Sequence, residues 1–279
     1  TPAALDAARE LRYRMLADPH RPGYHFTFPE DDGRPGDPNG CFYANGRYHL
    51  MYLYNHHALG FVWGHVSSKD LLHWRHHPYA IGPGEGDEGC FSGGAFVDRK
   101  GRAVLSYWGL WAKRGICLAF SKDEHFDRWT KSPANPVIES TEAGLRETVD
   151  KTGKQLILGA SDPSQVWEKD GRYYILTGNL QALNKIGRAT DAPPEQQGDR
   201  LYLFVSDDLE KWEYLHPFYE SRRDWTDRSE DDMCPSFLPL PSSPEGGPLS
   251  GKHLLLFISH NKGCQYYVGD YRNDKFYPD

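Results

Sequence analysis

Short apolar segments recur along the chain, and each one follows a glycine and a basic residue. They cover residues 46–52, 101–107, 171–177 and 251–257. Apolar runs of this length that start at a tight turn predict buried β-strands. Because the copies are separated by roughly 55 to 80 residues, they predict one supersecondary unit repeated four times.

A second signature follows the first three of these strands. It contains a serine, an acidic residue, a tryptophan and a proline, at 68–78, 121–133 and 206–217, with a degenerate copy at 269–278. The acidic residue is suited to cap a turn, and the proline is suited to end an edge strand. The tryptophan is expected to fill the gap between neighbouring sheets.

A third signature precedes each glycine. It begins at Asp37, Ser92, Asp162 and Cys234, and the first three lie nine positions before their glycine. Three or four strands per unit predict an all-β fold, a β-propeller, whose innermost strands line a central channel. These four residues are then expected at one mouth of the channel. A β-sandwich is the alternative fold, but it does not require the same signature in every unit.

Two of the four residues are aspartates followed by proline. One Asp-Pro dipeptide is ordinary turn chemistry. Asp37 and Asp162 occupy equivalent places in two copies of a repeat, so the repeat is expected to bring two carboxylates together. Paired carboxylates are an arrangement that a glycosidase can use.

The domain organisation follows from the same repeat. Residues 1–20 are predicted to be a helical lead-in, with an amphipathic helix over 3–16, and residues 21–279 to be the propeller. Only four blades can be counted, so we expect a fifth blade outside this chain. The polar segment 180–200 is predicted to be a long surface loop at the rim of the site.

The amino-acid composition limits the classes of molecule that the protein is expected to bind. Aromatic residues make up 14 % of the chain, which suits carbohydrate binding because sugar rings stack on aromatic faces, although most aromatics are expected in the core. The net charge of −7, without a basic stripe, argues against nucleic acid. The absence of an apolar run of about eighteen residues argues against a membrane span.

Cysteine and histidine give no metal motif. The five cysteines fit no zinc spacing, and we expect buried free thiols, with one disulfide left open. Adjacent histidines, at 56–57 and 76–77, point to opposite faces of a strand and are poor chelators. No metal site is therefore predicted.

Several of these segments resemble the opening of a known family. They are residues 21–26, 36–40, 48–50, 54–55, 63–71 and 90–93. They are similar to glycoside hydrolase family 32, which contains invertases, inulinases and levanases. The resemblance implies a five-bladed propeller followed by a β-sandwich, so that the fifth blade and the sandwich are expected outside this chain.

The resemblance also implies roles for individual residues. Asp37 matches the nucleophile and Asp162 the residue that stabilises the transition state, while the candidate substrate-binding residues are Asn39, Trp63, Phe91, Ser92 and Ser161. Trp63 is expected in the pocket wall, and Phe91 and Ser92 beside the sugar ring. A retaining glycosidase needs a nucleophilic carboxylate and a carboxylic acid about 5–5.5 Å apart, and it requires no metal or organic cofactor.

Four positions depart from the family pattern. Gly36 stands for an asparagine, Leu53 for a glutamine, Ser161 for an arginine and Met233 for the glutamate that is the usual acid. In the family the first three normally contact the sugar or the carboxylates. Their replacement therefore makes a sugar specificity other than fructose an alternative.

The proton donor is then expected just upstream of Met233, among Glu230, Asp231 and Asp232. A bulge at the start of the strand could bring one of them to the usual place of the acid. Side-chain length favours Glu230, then Asp231, while Asp232 would share a face with Cys234 on a regular strand. A solvated acidic loop is the alternative reading.

The predicted function is therefore a retaining glycoside hydrolase acting on furanosides, by default β-fructofuranosides of the sucrose, inulin or levan type. The alternatives are a furanosidase of different sugar specificity and a catalytically inactive sugar-binding propeller. The expected partner is an oligo- or polysaccharide, not nucleic acid or a membrane. A secreted or periplasmic location is favoured over the cytoplasm.

Overall fold

The computed structural model describes residues 10, 13–20, 26, 34–56, 58–110, 114–141, 143–193, 196–222, 224, 226–260 and 262–279. Residue 10 and residues 13–17 are helical, while the rest of the predicted helix over 3–16 lies outside the described residues. The helical lead-in over 1–20 therefore stays a prediction. No helix in the described part of the chain is long and apolar enough to cross a membrane.

Four antiparallel sheets follow one another along the chain, and in each the four main strands are ordered as in the sequence. The first contains β1 (Arg34–Ala44), β2 (Arg47–His56), β3 (Gly60–Ser68) and β4 (Trp74–His76). The second contains β5 (Cys90–Val97), β6 (Ala103–Gly109), β7 (Gly115–Ser121) and β8 (Thr130–Lys131), and β9 (Ile138–Glu139) also pairs with β7.

The other two sheets follow a hairpin formed by β10 (Leu145–Val149) and β11 (Gln155–Gly159). The third sheet contains β12 (Trp167–Lys169), β13 (Arg172–Thr177), β14 (Tyr202–Ser206) and β15 (Glu213–Pro217). The fourth contains β16 (Met233–Ser243), β17 (Gly246–Ser259), β18 (Gly263–Arg272) and β19 (Lys275–Pro278). The all-β prediction and the four-bladed repeat are confirmed.

The predicted surface loop 180–200 is partly helical. Leu180–Ala182 is a single α-helical turn, and Leu183–Gly187 continues it as a π-helix. Asn179 is fully buried beneath it, and its side chain donates to the carbonyl of Gln197 and accepts from the Tyr202 hydroxyl. These buried hydrogen bonds tie the segment to β14, a tertiary contact that its polar composition does not reveal.

The serine–aspartate signature caps the turn after the third strand of each of the first three sheets, as predicted. Asp70 Oδ1 accepts hydrogen bonds from the backbone N–H groups of Leu72 and His73, at 2.9 and 2.8 Å. Asp208 binds the corresponding N–H groups in the third sheet. In the second sheet Asp123 accepts from the backbone N–H groups two, four and five residues further along. Each cap satisfies donors that no strand partner reaches.

Apolar residues fill the spaces between consecutive sheets. One cluster joins the first two sheets and includes Met51, Trp63 and Leu105. A second joins the second and third sheets and includes Trp212, and a third cluster joins the last two sheets. Each pair of consecutive sheets buries apolar side chains between the two sheets. The hydrophobic effect therefore holds the blades side by side.

The innermost strands approach one another so closely that glycine is required. A Cβ on Gly94 of β5 would lie 2.1 Å from the backbone nitrogen of Gln165 in the third unit. A Cβ on Gly40 of β1 would lie 2.5 Å from the nitrogen of Ala95, and the φ of Gly40 is +122°. Backbones of neighbouring units are therefore in contact around the axis.

All five cysteines are free thiols. Cys90 and Cys117 are buried, as expected, but Cys41 and Cys264 are exposed and Cys234 is half-buried. The possibility of a disulfide, which the sequence left open, is thereby excluded.

Candidate active site

The fold brings Asp37, Ser92, Asp162 and Cys234 together, as the repeat predicted. The Ser92 hydroxyl donates to Asp37 Oδ2 at 2.5 Å, and Cys234 Sγ lies 3.9 Å from the same oxygen. The charges of Asp162 and Asp37, after burial, raise the pKa of the Cys234 thiol. Three units of the fold thus meet at Asp37.

Irregular backbone aims these side chains at one point. The pairing register of β1 shifts on both sides of Pro38, that of β5 shifts between Cys90 and Gly93, and that of β16 shifts between Met233 and Ser236. Bulges of this kind redirect side chains and are common beside active sites.

Asp162 and Cys234 also have left-handed backbone, with φ of +36° and +48°. Non-glycine residues in this region are strained, and such strain concentrates at functional sites. Asp162 lies in the segment that leads to β12, not inside the strand as the repeat suggested. There the Ser164 hydroxyl accepts from the Leu176 N–H, so a side chain replaces a regular strand pairing.

Asp37 is held by a chain of hydrogen bonds. With the Asn39 amide oriented to satisfy both its atoms, its nitrogen donates to Ser92 Oγ at 3.1 Å, and Ser92 donates to Asp37. The Asn39 oxygen accepts from Trp63 Nε1 at 2.9 Å, and this indole N–H also reaches the carbonyl of Phe91 at 3.0 Å. Asn39 and Ser92 therefore orient the carboxylate.

The tryptophan expected in the pocket wall has a different setting. Trp63 has no exposed surface, and it contacts Asn39 and Phe91 through its indole nitrogen. Beside it lies a group of three half-exposed aromatic side chains, Phe91, Phe61 and Trp108. The ring centroids of Phe91 and Phe61 are 4.5 Å apart, and those of Phe91 and Trp108 are 5.6 Å apart. Phe61 and Trp108 were not anticipated, because each lies at one end of an apolar run that resembles core.

Asp162 has an unusual environment for a carboxylate. Burial, and then the neighbouring charge of Asp37, raise the pKa of Asp162 to about 8. Its Oδ1 atom is buried and has no hydrogen-bond partner among the described residues, and the same is true of the Ser161 hydroxyl. Asp162 is therefore protonated at neutral pH and able to donate as well as accept a hydrogen bond.

The three candidate acids separate into two groups. Glu230 accepts from Lys262 at 2.9 Å and contacts the Tyr267 hydroxyl at 2.8 Å, so both its oxygens are engaged. Asp232 contacts the Tyr219 hydroxyl and lies beside Asp199.

Asp231 is directed elsewhere. Its Oδ2 accepts from the backbone N–H of His260 at 3.2 Å and lies 3.1 Å from the ring nitrogen Nδ1 of His260. Its Oδ1 is buried without a partner among the described residues, and its charge contributes to the raised pKa of Cys234. Of the three acids, Asp231 is the one whose charge acts on the Cys234 thiol, which lies 3.9 Å from Asp37 Oδ2. Asp232 Oδ1 is likewise buried without a partner among the described residues. Met233, at the usual position of the acid, is buried against Gly178.

The contacts of Asp199, Glu230 and Asp232 require shared protons. Tyr219 contacts Asp199 and Asp232, and Tyr267 contacts Asp199 and Glu230. Each phenol has one hydroxyl hydrogen for two contacts, so the carboxyl groups must supply the others. Burial, accordingly, raises the pKa of Asp199 and Asp232. Bound protons and the Lys262 ammonium balance the negative charge of these three carboxyl groups. We therefore do not assign them as a metal centre.

A second cluster of potential metal ligands lies on the first sheet. His49, His65 and His77 have nitrogen atoms within 4.8 Å of one another. The rings of His65 and His77 stack at 4.1 Å with an interplanar angle of 18°, so lone pairs in these two planes do not converge on one ion. His77 Nδ1 instead contacts Asp127 Oδ1 at 2.6 Å. This arrangement fits a hydrogen-bonded core group.

Comparison with known proteins identifies similar sequences. A family model described as the N-terminal domain of glycosyl hydrolases family 32 matches residues 25–279. The sucrose-6-phosphate hydrolase of Klebsiella pneumoniae is 33 % identical over 76 % of this chain and 41 % of its own length. The fructan 6-exohydrolase of Beta vulgaris is 30 % identical over 94 % of this chain and 42 % of its own length. The chain spans about two fifths of the length of these relatives.

Solved structures show the same architecture. Fructan 1-exohydrolase IIa from Cichorium intybus superimposes with a TM-score of 0.68 at 26 % identity, covering 94 % of this chain and 47 % of that one. The fructofuranosidase from Schwanniomyces occidentalis complexed with fructose superimposes with a TM-score of 0.64 at 26 % identity, covering 93 % and 48 %.

Proposed function

Because the chain belongs to glycosyl hydrolase family 32, we propose that it is the catalytic propeller of a retaining glycosidase that hydrolyses β-fructofuranosides of the sucrose, inulin or levan type. The observation that carries this proposal is the convergence of Asp37, Ser92 and Asp162 at one point. The structure of a Cichorium intybus relative in complex with 1-kestose supports an oligosaccharide as the substrate class.

Asp37 is the proposed nucleophile. Ser92 donates to one of its oxygens, which leaves the other carboxylate oxygen available to attack the anomeric carbon. In a retaining reaction this attack forms a glycosyl–enzyme ester and expels the leaving-group oxygen, which takes a proton from the acid. Water then hydrolyses the ester, and the former acid accepts the proton from that water.

Asp162 is the proposed transition-state stabiliser. Its unpartnered Oδ1 and the Ser161 hydroxyl are buried polar atoms that a sugar hydroxyl would satisfy. Since Asp162 holds a proton at neutral pH, it adds no second negative charge beside Asp37 in the resting site.

We assign the proton donor to Asp231 in preference to Glu230, which its side-chain length had favoured. Both oxygens of Glu230 are engaged by Lys262 and Tyr267, whereas Asp231 and Asp232 each have one oxygen without a partner in the described part of the chain. The other oxygen of Asp232 contacts Tyr219, which ties Asp232 to Asp199 and leaves Asp231 as our choice. The contact of Asp231 with His260 supports this assignment, because a fixed partner holds the carboxyl group in one orientation.

The decisive experiment combines product analysis with acid replacement. Asp37→Ala should abolish release of fructose from sucrose, inulin and levan, and proton NMR of the wild-type product should show retention of anomeric configuration. Asp231→Ala should lose hydrolysis of natural substrates, whose leaving group needs the proton. With an activated aryl β-fructofuranoside, whose leaving group needs no proton, azide should restore turnover because it attacks the glycosyl–enzyme ester without a base. Hydrolysis by Asp37→Ala would refute the nucleophile, and azide rescue at Glu230→Ala or Asp162→Ala instead would reassign the acid.

Two observations favour a second candidate function, a sugar-binding propeller without hydrolysis. Met233 occupies the usual position of the acid, and Asp231 has no exposed surface. Binding of inulin or levan without any released product would establish this alternative. A furanosidase of different specificity would instead release pentose from arabinofuranosides. The secreted or periplasmic location stays a prediction.

A further inference from the structure

Four parts of the chain meet in a corner beside Asp162. A Cβ placed on Gly144, in the turn before β10, would lie 3.0 Å from Trp108 Cζ2, 2.9 Å from Gln181 Cγ and 3.4 Å from Ser161 Cβ. Gly144 has a φ of +71°, so both space and backbone exclude a side chain there. Trp108 and Ser161, from different units, are therefore packed into one space.

This corner adjoins the catalytic residues. Ser161 directly precedes Asp162 in the chain, and the rings of Trp108 and Phe91 meet edge to face with centroids 5.6 Å apart. The corner contains a hydroxyl without a partner among the described residues, Ser161 Oγ, which is fully buried. It thus combines an aromatic surface with an unsatisfied polar atom.

Trp108 differs from the tryptophans that serve the core. Trp63 has no exposed surface and Trp212 is buried in the cluster between the second and third sheets. Trp108 is half-exposed and belongs to none of the buried clusters. Trp108 contacts Phe91, which directly precedes Ser92, the hydrogen-bond donor to Asp37. A half-exposed indole at this position is suited to the apolar C–H face of a sugar ring.

We propose that Trp108 and Ser161 together determine the sugar specificity of this site, with the indole stacking on a neutral furanose ring and the Ser161 hydroxyl bonding one of its hydroxyl groups. This inference rests on the proposed function. Trp108 Cζ2 and Ser161 Cβ both lie within 3.4 Å of the same point, a Cβ built on Gly144, so we expect a longer side chain at position 161 to meet the indole. The serine and the tryptophan therefore act as one unit of recognition in this proposal.

The first test measures binding separately from turnover. Titration of inulin-derived oligosaccharides into the inactive Asp37→Ala protein, followed by calorimetry, gives Kd values for Trp108→Ala and Trp108→Phe in the same background. Trp108→Ala should weaken binding by roughly 10- to 100-fold, whereas Trp108→Phe, which keeps an aromatic face, should stay within a few-fold. Trp74→Ala, at a half-buried tryptophan on β4, is the matched control and should leave Kd unchanged.

The second test is a double-mutant cycle on kcat/KM of the full-length protein. Ser161→Arg alone should lower kcat/KM by about 100-fold because the guanidinium collides with the indole. Adding Trp108→Ala should restore at least about 10-fold of that loss. Equal effects of Trp108→Ala in the wild-type protein and in the Ser161→Arg variant would overturn the inference.

The outcomes separate the two proposals. An unchanged Kd for Trp108→Ala, while Asp37→Ala is inactive, removes only the role of Trp108. Full activity of Asp37→Ala removes the proposed mechanism, whatever Trp108 does. Absence of any sugar binding by the folded wild-type protein removes both.

Discussion

Asp37 and Asp162 have identical side chains and equivalent places in the repeat, but their surroundings differ. Asp37 receives a hydrogen bond from Ser92, which itself is held by Asn39. Asp162 has an enclosed oxygen without a partner among the described residues and a pKa raised to about 8. Two neighbouring carboxyl groups in different environments are expected to take different protonation states and different roles.

The raised pKa of Asp162 predicts a pH-dependent stability. A carboxyl group whose folded-state pKa is raised binds more protons in the folded than in the unfolded state between the two values, so the free energy of unfolding falls as pH rises through that window. For Asp162 the window runs from about 4, the ordinary value, to about 8. Denaturant unfolding from about pH 5 to about pH 8 should therefore cost the wild type more stability than Asp162→Asn. Parallel pH curves would contradict the raised pKa.

Ser92 predicts a separation of activity from stability. Ser92→Ala removes the hydroxyl that orients Asp37, so kcat/KM should fall by roughly 10- to 100-fold while the melting temperature changes little. Ser132→Ala, at another buried serine just after β8, is the control and should leave kcat/KM unchanged. A comparable loss in both variants would indicate a general packing effect instead.

At the scale of elements, the innermost strands decide the shape of the site. β1, β5 and β16 each carry a register shift where a site residue lies, and glycines let neighbouring backbones touch. The bulges aim the side chains, and the close contacts hold the strands in one position. Site geometry therefore depends on strand backbones more than on loops.

Gly94 tests this contact. Gly94→Ala places a methyl group 2.1 Å from a backbone nitrogen of the third unit, and a backbone has no rotamer with which to move away. We expect a loss of about 3 kcal/mol or more in unfolding free energy, measured by denaturant titration. Gly82→Ala meets only side chains, the nearest Val62 Cγ1 at 3.0 Å, and should cost clearly less. Equal costs would show that the innermost strands can separate.

At the scale of the whole molecule, a buried polar network joins the third and fourth units. Tyr219 and Asp199 belong to the third unit, while Glu230, Asp232 and Tyr267 belong to the fourth. Its members share hydrogens, so each group depends on the others. Glu230 and Asp232 of this network flank Asp231 in the chain. The stability of the contact between the third and fourth units, which we call the seam, is therefore linked to the position of the proposed acid.

Tyr219→Phe should weaken this seam. It removes one hydroxyl that serves both Asp199 and Asp232, and unsatisfied buried oxygens cost about 1–3 kcal/mol. Calorimetric unfolding should show a lower melting temperature, whereas Tyr266→Phe, at a tyrosine that is 66 % exposed, should be silent. An unchanged melting temperature for Tyr219→Phe would mean that the network adds no net stability.

The repeat, the strand order and the capped turns could be predicted from the sequence by itself, and the family resemblance is confirmed. These features depend on hydrogen bonds and burial within a few residues of chain, so a local pattern contains them. Asp70 caps its turn by accepting from the backbone N–H groups two and three residues further along, those of Leu72 and His73. The meeting of Asp37 with Ser92 was also predictable, because equivalent places in a repeat become neighbours around an axis.

Only the tertiary structure decided which tryptophan stays half-exposed, which contacts distinguish three adjacent acids, and why the pKa of Asp162 is raised. Trp63 and Trp108 both lie in apolar strands, and only packing between units buries one and exposes the other. Glu230, Asp231 and Asp232 are separated by contacts with Lys262, His260 and Tyr219. Burial and electrostatic fields are sums over residues that are distant in the chain, so no local pattern of sequence contains them.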